Sequence, residues 1–181
     1  VILALSISVK LIPLIFLPLF FQWFVKQNVI AKEVRQSAIK EGITTSITLR
    51  HNVWKGMTKL IGFYAIVIIT TLLLFVPFYS SEFINNYSKT VALWFQNFEF
   101  NGSLYYIARE IGYTFRGYNE IAIIGKVSAK IVILFVLIIT FLRKNKTTVE
   151  LITAMLLVLS FYYFTTTTVH PWYVATLLIL S

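Results

Sequence analysis

Long apolar runs alternate with short polar segments along this chain, and the length of the runs decides how they are read. Residues 1–24, 60–79, 120–142 and 151–166 are predominantly apolar, and roughly 20 such residues are what a helix needs to cross a bilayer. A fifth run opens at Pro171 and is apolar up to Leu180, next to the last residue. The pattern predicts an all-α, polytopic transmembrane helix bundle, with residues 1–181 forming a single, partial transmembrane domain. Asn119 stands where an N-cap of the third span is expected. The chain opens without methionine in apolar sequence already under way, and it stops inside another apolar run, so further helices are expected beyond both ends. The first run does not read as a signal peptide, because no basic segment precedes it and Lys10 interrupts it.

The polar segments set an orientation. Between Val25 and Lys59 lie Lys26, Lys32, Arg35, Lys40, Arg50, Lys55 and Lys59 against Glu33 and Glu41, a surplus of five positive charges. The Arg143-Lys144-Asn145-Lys146 turn is also basic, whereas Ser80–Asn119 balances Lys89, Arg109 and Arg116 against Glu82, Glu99 and Glu110. Basic loops stay cytoplasmic. The segments 80–119 and 165–173 are therefore expected on the opposite, extracytoplasmic face, an alternation consistent through all four spans. Within the basic segment, Ile30–Glu41 is expected to form a short interfacial helix stopped by Gly42, with Trp54 at the headgroups and His51 a solvated loop residue.

Composition supports this class and excludes others. Only 13% of residues are charged and the mean hydropathy is +0.80, where a soluble domain carries about 25% charged residues. The net charge of +9 is concentrated between apolar runs, which topology explains better than nucleic-acid binding. Cysteine is absent, which removes disulfide and thiolate chemistry, and all seven acids are glutamate. No phosphate-binding glycine loop, metal-spaced His/Glu cluster or Ser/His/acid set is evident.

Three places carry candidate chemistry. Lys10, in Ser8-Val9-Lys10-Leu11-Ile12-Pro13, sits inside an apolar run, where a lysine either snorkels to the interface or faces a polar cavity. Trp94–Tyr106 mixes aromatics with Glu99, Asn101 and Ser103, as suits a segment lying along the membrane surface. Ser103 is placed to cap a helix through Gly112 that carries Arg109 and Glu110, and Asn101-Gly102-Ser103 also fits an N-glycosylation sequon. In Val169-His170-Pro171-Trp172-Tyr173 the proline is expected to end one helix at His170 and start another. A histidine there donates hydrogen bonds or shuttles protons. An interfacial turn with a Trp–Tyr belt is the plainer reading of the same residues. Lys126 and Lys130, one turn apart on the third span, mark a face expected to meet protein or water rather than lipid.

Three of these segments resemble bacterial mannosyltransferases of the C-type glycosyltransferase superfamily. Thr168-Val169-His170-Pro171-Trp172-Tyr173 is similar to their HPWY segment, Phe98–Tyr106 to an F-x-F-N-x-S-x-Y stretch, and Lys10-Leu11-Ile12-Pro13 to a Lys-x-x-Pro transmembrane segment. The order and spacing of the three agree with that family, and together they span nearly the whole chain; the long basic loop has no counterpart. The resemblance implies a fragment of a larger C-type glycosyltransferase-like fold with extracytoplasmic interfacial helices, multi-pass in the bacterial inner (cytoplasmic) membrane. It implies transfer of a sugar, mannose by the resemblance, from a polyprenyl-phosphate donor to a glycan or lipid acceptor at the extracytoplasmic face. Membrane lipids are then the surrounding partners, no nucleic acid is involved, and no cofactor is evident. The family's acidic base lies in an outer loop near the N-terminus, so it is expected upstream and this stretch alone is expected to be inactive. The resemblance assigns Lys10 or Arg109 to the donor phosphate, and Glu99, Asn101 and His170 to sugar hydroxyls or phosphate. Trp172 and Tyr173 would stack on sugar or anchor the helix. The alternative from another class is a transporter or lipid-flippase subunit with Lys10, Arg109 and the Pro171 break along a permeation path. A purely structural membrane subunit is the third.

Overall fold

A computed structural model describes residues 1–25, 45–96 and 98–181, the side chains of 45–52 and 94–96 excepted. The expected interfacial helix over 30–41, and most of the basic segment's charges, lie outside the described residues. Among the described residues eight helices run in order: α1 (Ile2–Val9), α2 (Ile12–Val25), α3 (Thr45–Phe75), α4 (Ser81–Gln96), α5 (Leu104–Arg116), α6 (Ile121–Leu142), α7 (Thr148–Thr165) and α8 (Ala175–Leu180). Among the described residues there is no strand, only one isolated bridge between Phe100 and Thr168. Among the described residues three stretches are long and apolar enough to cross a membrane: Val53–Phe78, Ile121–Leu142 and Thr148–Thr165, of 26, 22 and 18 residues. At about 1.5 Å per residue they are about 39, 33 and 27 Å long, against a hydrocarbon core about 30 Å thick.

The first expected span is corrected. Residues 1–24 do not form one continuous helix: α1 stops at Val9, and Lys10 is extended with φ −146° and ψ 137°. Ile12–Leu19, with Pro13 and Pro18, then winds as a 3₁₀ helix before turning α-helical. A proline donates no backbone hydrogen bond, and inside a helix its ring clashes with the carbonyl four residues earlier, so the regular α pattern is interrupted here. Lys10 sits exposed at this break rather than inside a continuous apolar helix. The second span also starts earlier than expected, at Val53 rather than residue 60. Trp54, Lys55 and Lys59 ride on α3 instead of a loop, Trp54 exposed, and His51 is likewise helical.

The contacts divide the chain into two compact units, Val1–Pro77 with Ile138–Ala154 and Phe78–Leu137 with Met155–Ser181. In the first unit, Ala4 and Ile7 of α1 pack on Val67 of α3, with Leu3, Leu17 and Phe63 around them. Lipid tails are as apolar as these side chains, so close fit rather than hydrophobicity holds such helices together. Gly56 shows it: a Cβ there would lie 2.7 Å from the Phe24 carbonyl oxygen and 2.8 Å from Val25 Cα. The opposite side of α3 leaves Leu72 and Leu73 61% and 64% exposed, as a lipid-facing helix should. Gln22, buried, donates from Nε2 to the Thr140 carbonyl at 2.6 Å and satisfies the end of α6. The start of α7 is a capping box: Glu150 Oε2 accepts the N–H groups of Lys146 and Thr147 at 2.8 and 3.0 Å, while Thr147 Oγ1 accepts that of Glu150 at 3.2 Å.

In the second unit α6 packs on α7. Ser128 Oγ donates to the Thr165 carbonyl at 2.6 Å, and the rings of Phe135 and Phe161 stack 4.1 Å apart. The N-cap position of α6 is Glu120, whose carbonyl accepts from Ile123 and Ile124. Asn119 is not the cap. Its side chain is used elsewhere.

Candidate functional site

The last turn of a helix leaves carbonyls with no partner inside it, and the way α7 resolves this builds the site. Asn101 Nδ2 donates to the carbonyls of Tyr163 at 2.7 Å and Thr166 at 2.6 Å. Ser103 Oγ lies 2.8 Å from the Phe164 carbonyl and 2.7 Å from Asn101 Oδ1. The backbone completes the lock: Phe100 N–H donates to Thr167 O at 2.9 Å and Val169 N–H to Phe100 O at 2.8 Å. Thr168 Oγ1 adds a bond to Phe98 O at 2.8 Å. Two segments more than 60 residues apart in sequence are thereby joined side by side. Both donors of the Asn101 amide are consumed, so the nitrogen that a glycosylated sequon must offer is not available in the folded chain.

A second network surrounds Glu99. Its Oε2 accepts from the Tyr105 hydroxyl at 2.6 Å and Asn119 Nδ2 at 2.7 Å, and its Oε1 pairs with Arg109 at 2.9 Å. Arg109 also meets Glu110 at 3.2 Å and lies 4.2 Å above the Tyr106 ring. The Tyr105 hydrogen bond, with those from Asn119 and Arg109, holds the Glu99 carboxyl below its ordinary range. Burial, reinforced by the Glu99 carboxylate, pushes Tyr105 up to about 12. Glu99 is thus a saturated anion and a weak proton acceptor. α5 carries Tyr105, Arg109 and Glu110, and Gly117, at φ 74°, ends the helix in the left-handed conformation that glycine adopts without strain. Ser103 stands at its N-cap position as expected, but its hydroxyl serves α7 instead, and the helix runs past Gly112 to Arg116.

The third part is aromatic. His170 is extended, with φ −77° and ψ 145°, and Pro171 opens a 3₁₀ turn after it. The imidazole stacks on Trp172 at 4.5 Å and 3°, meets the edge of Tyr173 at 5.4 Å, and lies 5.3 Å from the Phe100 ring. Tyr163 stacks on Tyr173 at 6.1 Å, and its hydroxyl lies 3.0 Å from Thr176 Oγ1. Phe100 and Trp172 remain 50% and 65% exposed, so an apolar, ring-lined surface stays open.

Six of the seven residues singled out in the sequence, Glu99, Asn101, Arg109, His170, Trp172 and Tyr173, fall in this one unit and are linked through Phe100. Lys10 belongs to the other unit. Sequence reasoning missed Tyr105 and Asn119 as carboxylate partners, and the α7 carbonyls as the target of Asn101. The paired spacing of Asn101 and Ser103 was the available signal. An apolar cavity of about 390 Å³ in the first unit, lined by Leu17, Pro18, Phe21, Tyr64, Ile68 and apolar parts of α6, carries no polar chemistry to rival the site. Among the described residues no three His, Asp or Glu side chains gather to hold a metal. Set against known protein families, curated proteins and solved structures, the chain matches none of them.

Proposed function

We propose that this chain is part of a membrane glycosyltransferase that takes a sugar, mannose by its sequence resemblance, from a polyprenyl-phosphate donor at the extracytoplasmic face. The observation that supports it best is the lock between residues 98–103 and 163–169. It sets an open aromatic surface beside an arginine–carboxylate network where α6 begins and α7 ends. Trp172 and Phe100 offer faces on which a sugar ring packs, and His170 offers a hydrogen bond to a hydroxyl or phosphate. Arg109 reaches a phosphate by exchanging Glu110, whose side chain is 67% exposed. Glu99 and Asn101 act as positioning residues, since their hydrogen-bonding capacity is spent within the chain. Displacement at an anomeric carbon needs stabilisation of the leaving phosphate, which the Arg109 guanidinium supplies.

A second reading, transport of a lipid or solute, is favoured by the helix breaks at Lys10 and at His170–Pro171, since discontinuous helices line transport sites. The test is transfer of labelled sugar from polyprenyl-phosphate mannose in membranes carrying the protein. His170→Ala is expected to lower transfer about 10- to 1,000-fold, the range for losing roughly 1.4–4 kcal/mol of transition-state stabilisation, with protein level unchanged. Transfer that survives deletion of the protein rules out the enzymatic reading.

A further inference from the structure

The face of α6 turned away from α7 carries a feature that the proposed site does not use. Gly125, Ser128, Val132 and Val136 are buried on one side of the helix. Lys126 and Lys130 lie on the other, in an exposed row with Ile123, Ile133 and Leu137. Among the described residues neither lysine makes an ion pair or a side-chain hydrogen bond. In the same unit Glu99 and Glu110 pair with Arg109, and Glu120 with Arg116. An ammonium in hydrocarbon is costly unless it reaches an interface or a counter-charge. The two lysines stand about 7–8 Å and 13–14 Å along the axis from Ile121, at about 1.5 Å per residue. Helical side chains lean toward the N-terminus, so both four-carbon stems climb toward the same end of α6 and carry two positive charges, one turn apart, toward the headgroups.

We propose that Lys126 and Lys130 together bind the phosphate of an anionic membrane lipid, whose chains lie along Ile123, Ile133 and Leu137. The proposal rests on α6 crossing the membrane and not on sugar transfer. A lipid phosphate fits better than an acidic partner helix, or than the protein or water expected from the sequence, because the flanking row is wholly apolar and both stems rise toward the headgroup end of α6, where phosphates already are. A bulk phospholipid and a polyprenyl phosphate share this chemistry.

The test is native mass spectrometry of the detergent-solubilised chain titrated separately with phosphatidylglycerol, phosphatidylcholine and a polyprenyl phosphate. Both anionic lipids are expected to bind at least about 10-fold more tightly than phosphatidylcholine. The double variant Lys126→Gln/Lys130→Gln is expected to lose about 30-fold in that affinity, at about 1 kcal/mol per lysine near the surface. Lys126→Arg/Lys130→Arg should retain binding, which separates a lost charge from a lost fold. Preference for the polyprenyl phosphate over phosphatidylglycerol would identify the lipid as the donor, and equal binding would identify bulk lipid. Equal affinity in the wild type and the double Gln variant overturns the proposal, as does equal affinity for phosphatidylcholine. Absence of anionic-lipid binding, with Lys126→Cys cross-linking to another protein or a second copy, also overturns it and assigns the face to a protein contact.

Discussion

Asn101→Ala is expected to open the lock that holds the candidate site together. The substitution removes two hydrogen bonds, of 2.7 and 2.6 Å, and strands the carbonyls of Tyr163 and Thr166 in partly buried positions. A buried polar group left without its partner costs about 1–3 kcal/mol. Two such groups, partly reachable by water, give about 2–4 kcal/mol, above the roughly 1 kcal/mol typical of point substitutions. The loss should be local, because amides open in cooperative segments. Hydrogen exchange of the chain in detergent micelles reads it directly. The amides of Phe100 and Val169, bonded at 2.9 and 2.8 Å across the joint, should exchange about 30- to 700-fold faster, since about 1.4 kcal/mol is tenfold. Amides in α3 should keep their protection. Asn101→Asp should be worse than alanine, because it points a carboxylate oxygen at two carbonyl oxygens. Unchanged exchange at Phe100 and Val169 in the alanine variant, or an Asp variant as well protected as the wild type, would refute the assignment of the amide as a cap.

Other outcomes follow from the same geometry. Gly56→Ala should destabilise the first unit by about 1–3 kcal/mol, seen as a lower thermal midpoint in detergent, because its Cβ would meet the Phe24 and Val25 backbone below 3 Å; a neutral effect would mean that α2 is not held so close. Glu99 has a lowered folded pKa, so its contribution is present above the ordinary carboxylate pKa and lost as pH falls through the folded value; Glu99→Gln should flatten that acid limb of a stability profile. Tyr105, raised to about 12, contributes below the ordinary tyrosine pKa of about 10 and loses the contribution between there and 12, so Tyr105→Phe should flatten the alkaline limb. For orientation, the chain has no cysteine, and Asn86→Cys should react with an impermeant thiol reagent in intact cells while Lys146→Cys should not; the reverse pattern would invert the topology.

Part of this architecture was legible in the residues alone. The third and fourth apolar runs became α6 and α7 within a few residues, because a bilayer demands length and apolarity, and both are local sums over sequence. The polar-aromatic stretches around Glu99 and His170 stood out for the same reason. The first run was legible only as apolar. A hydropathy window averages over a backbone break, so the extended Lys10 and the 3₁₀ turns set by Pro13 and Pro18 left its score unchanged. Tertiary structure alone decided what the polar groups do. Asn119 looks like a helix cap in sequence, yet its amide goes to Glu99, 20 residues away. Asn101 looks like a turn residue or a sequon, yet it closes the end of a helix more than 60 residues on. A hydrogen bond is satisfied by whichever partner the fold brings within about 3 Å. The orphan carbonyls at the end of α7 exist only once that helix has formed, and so does the partner that Asn101 selects.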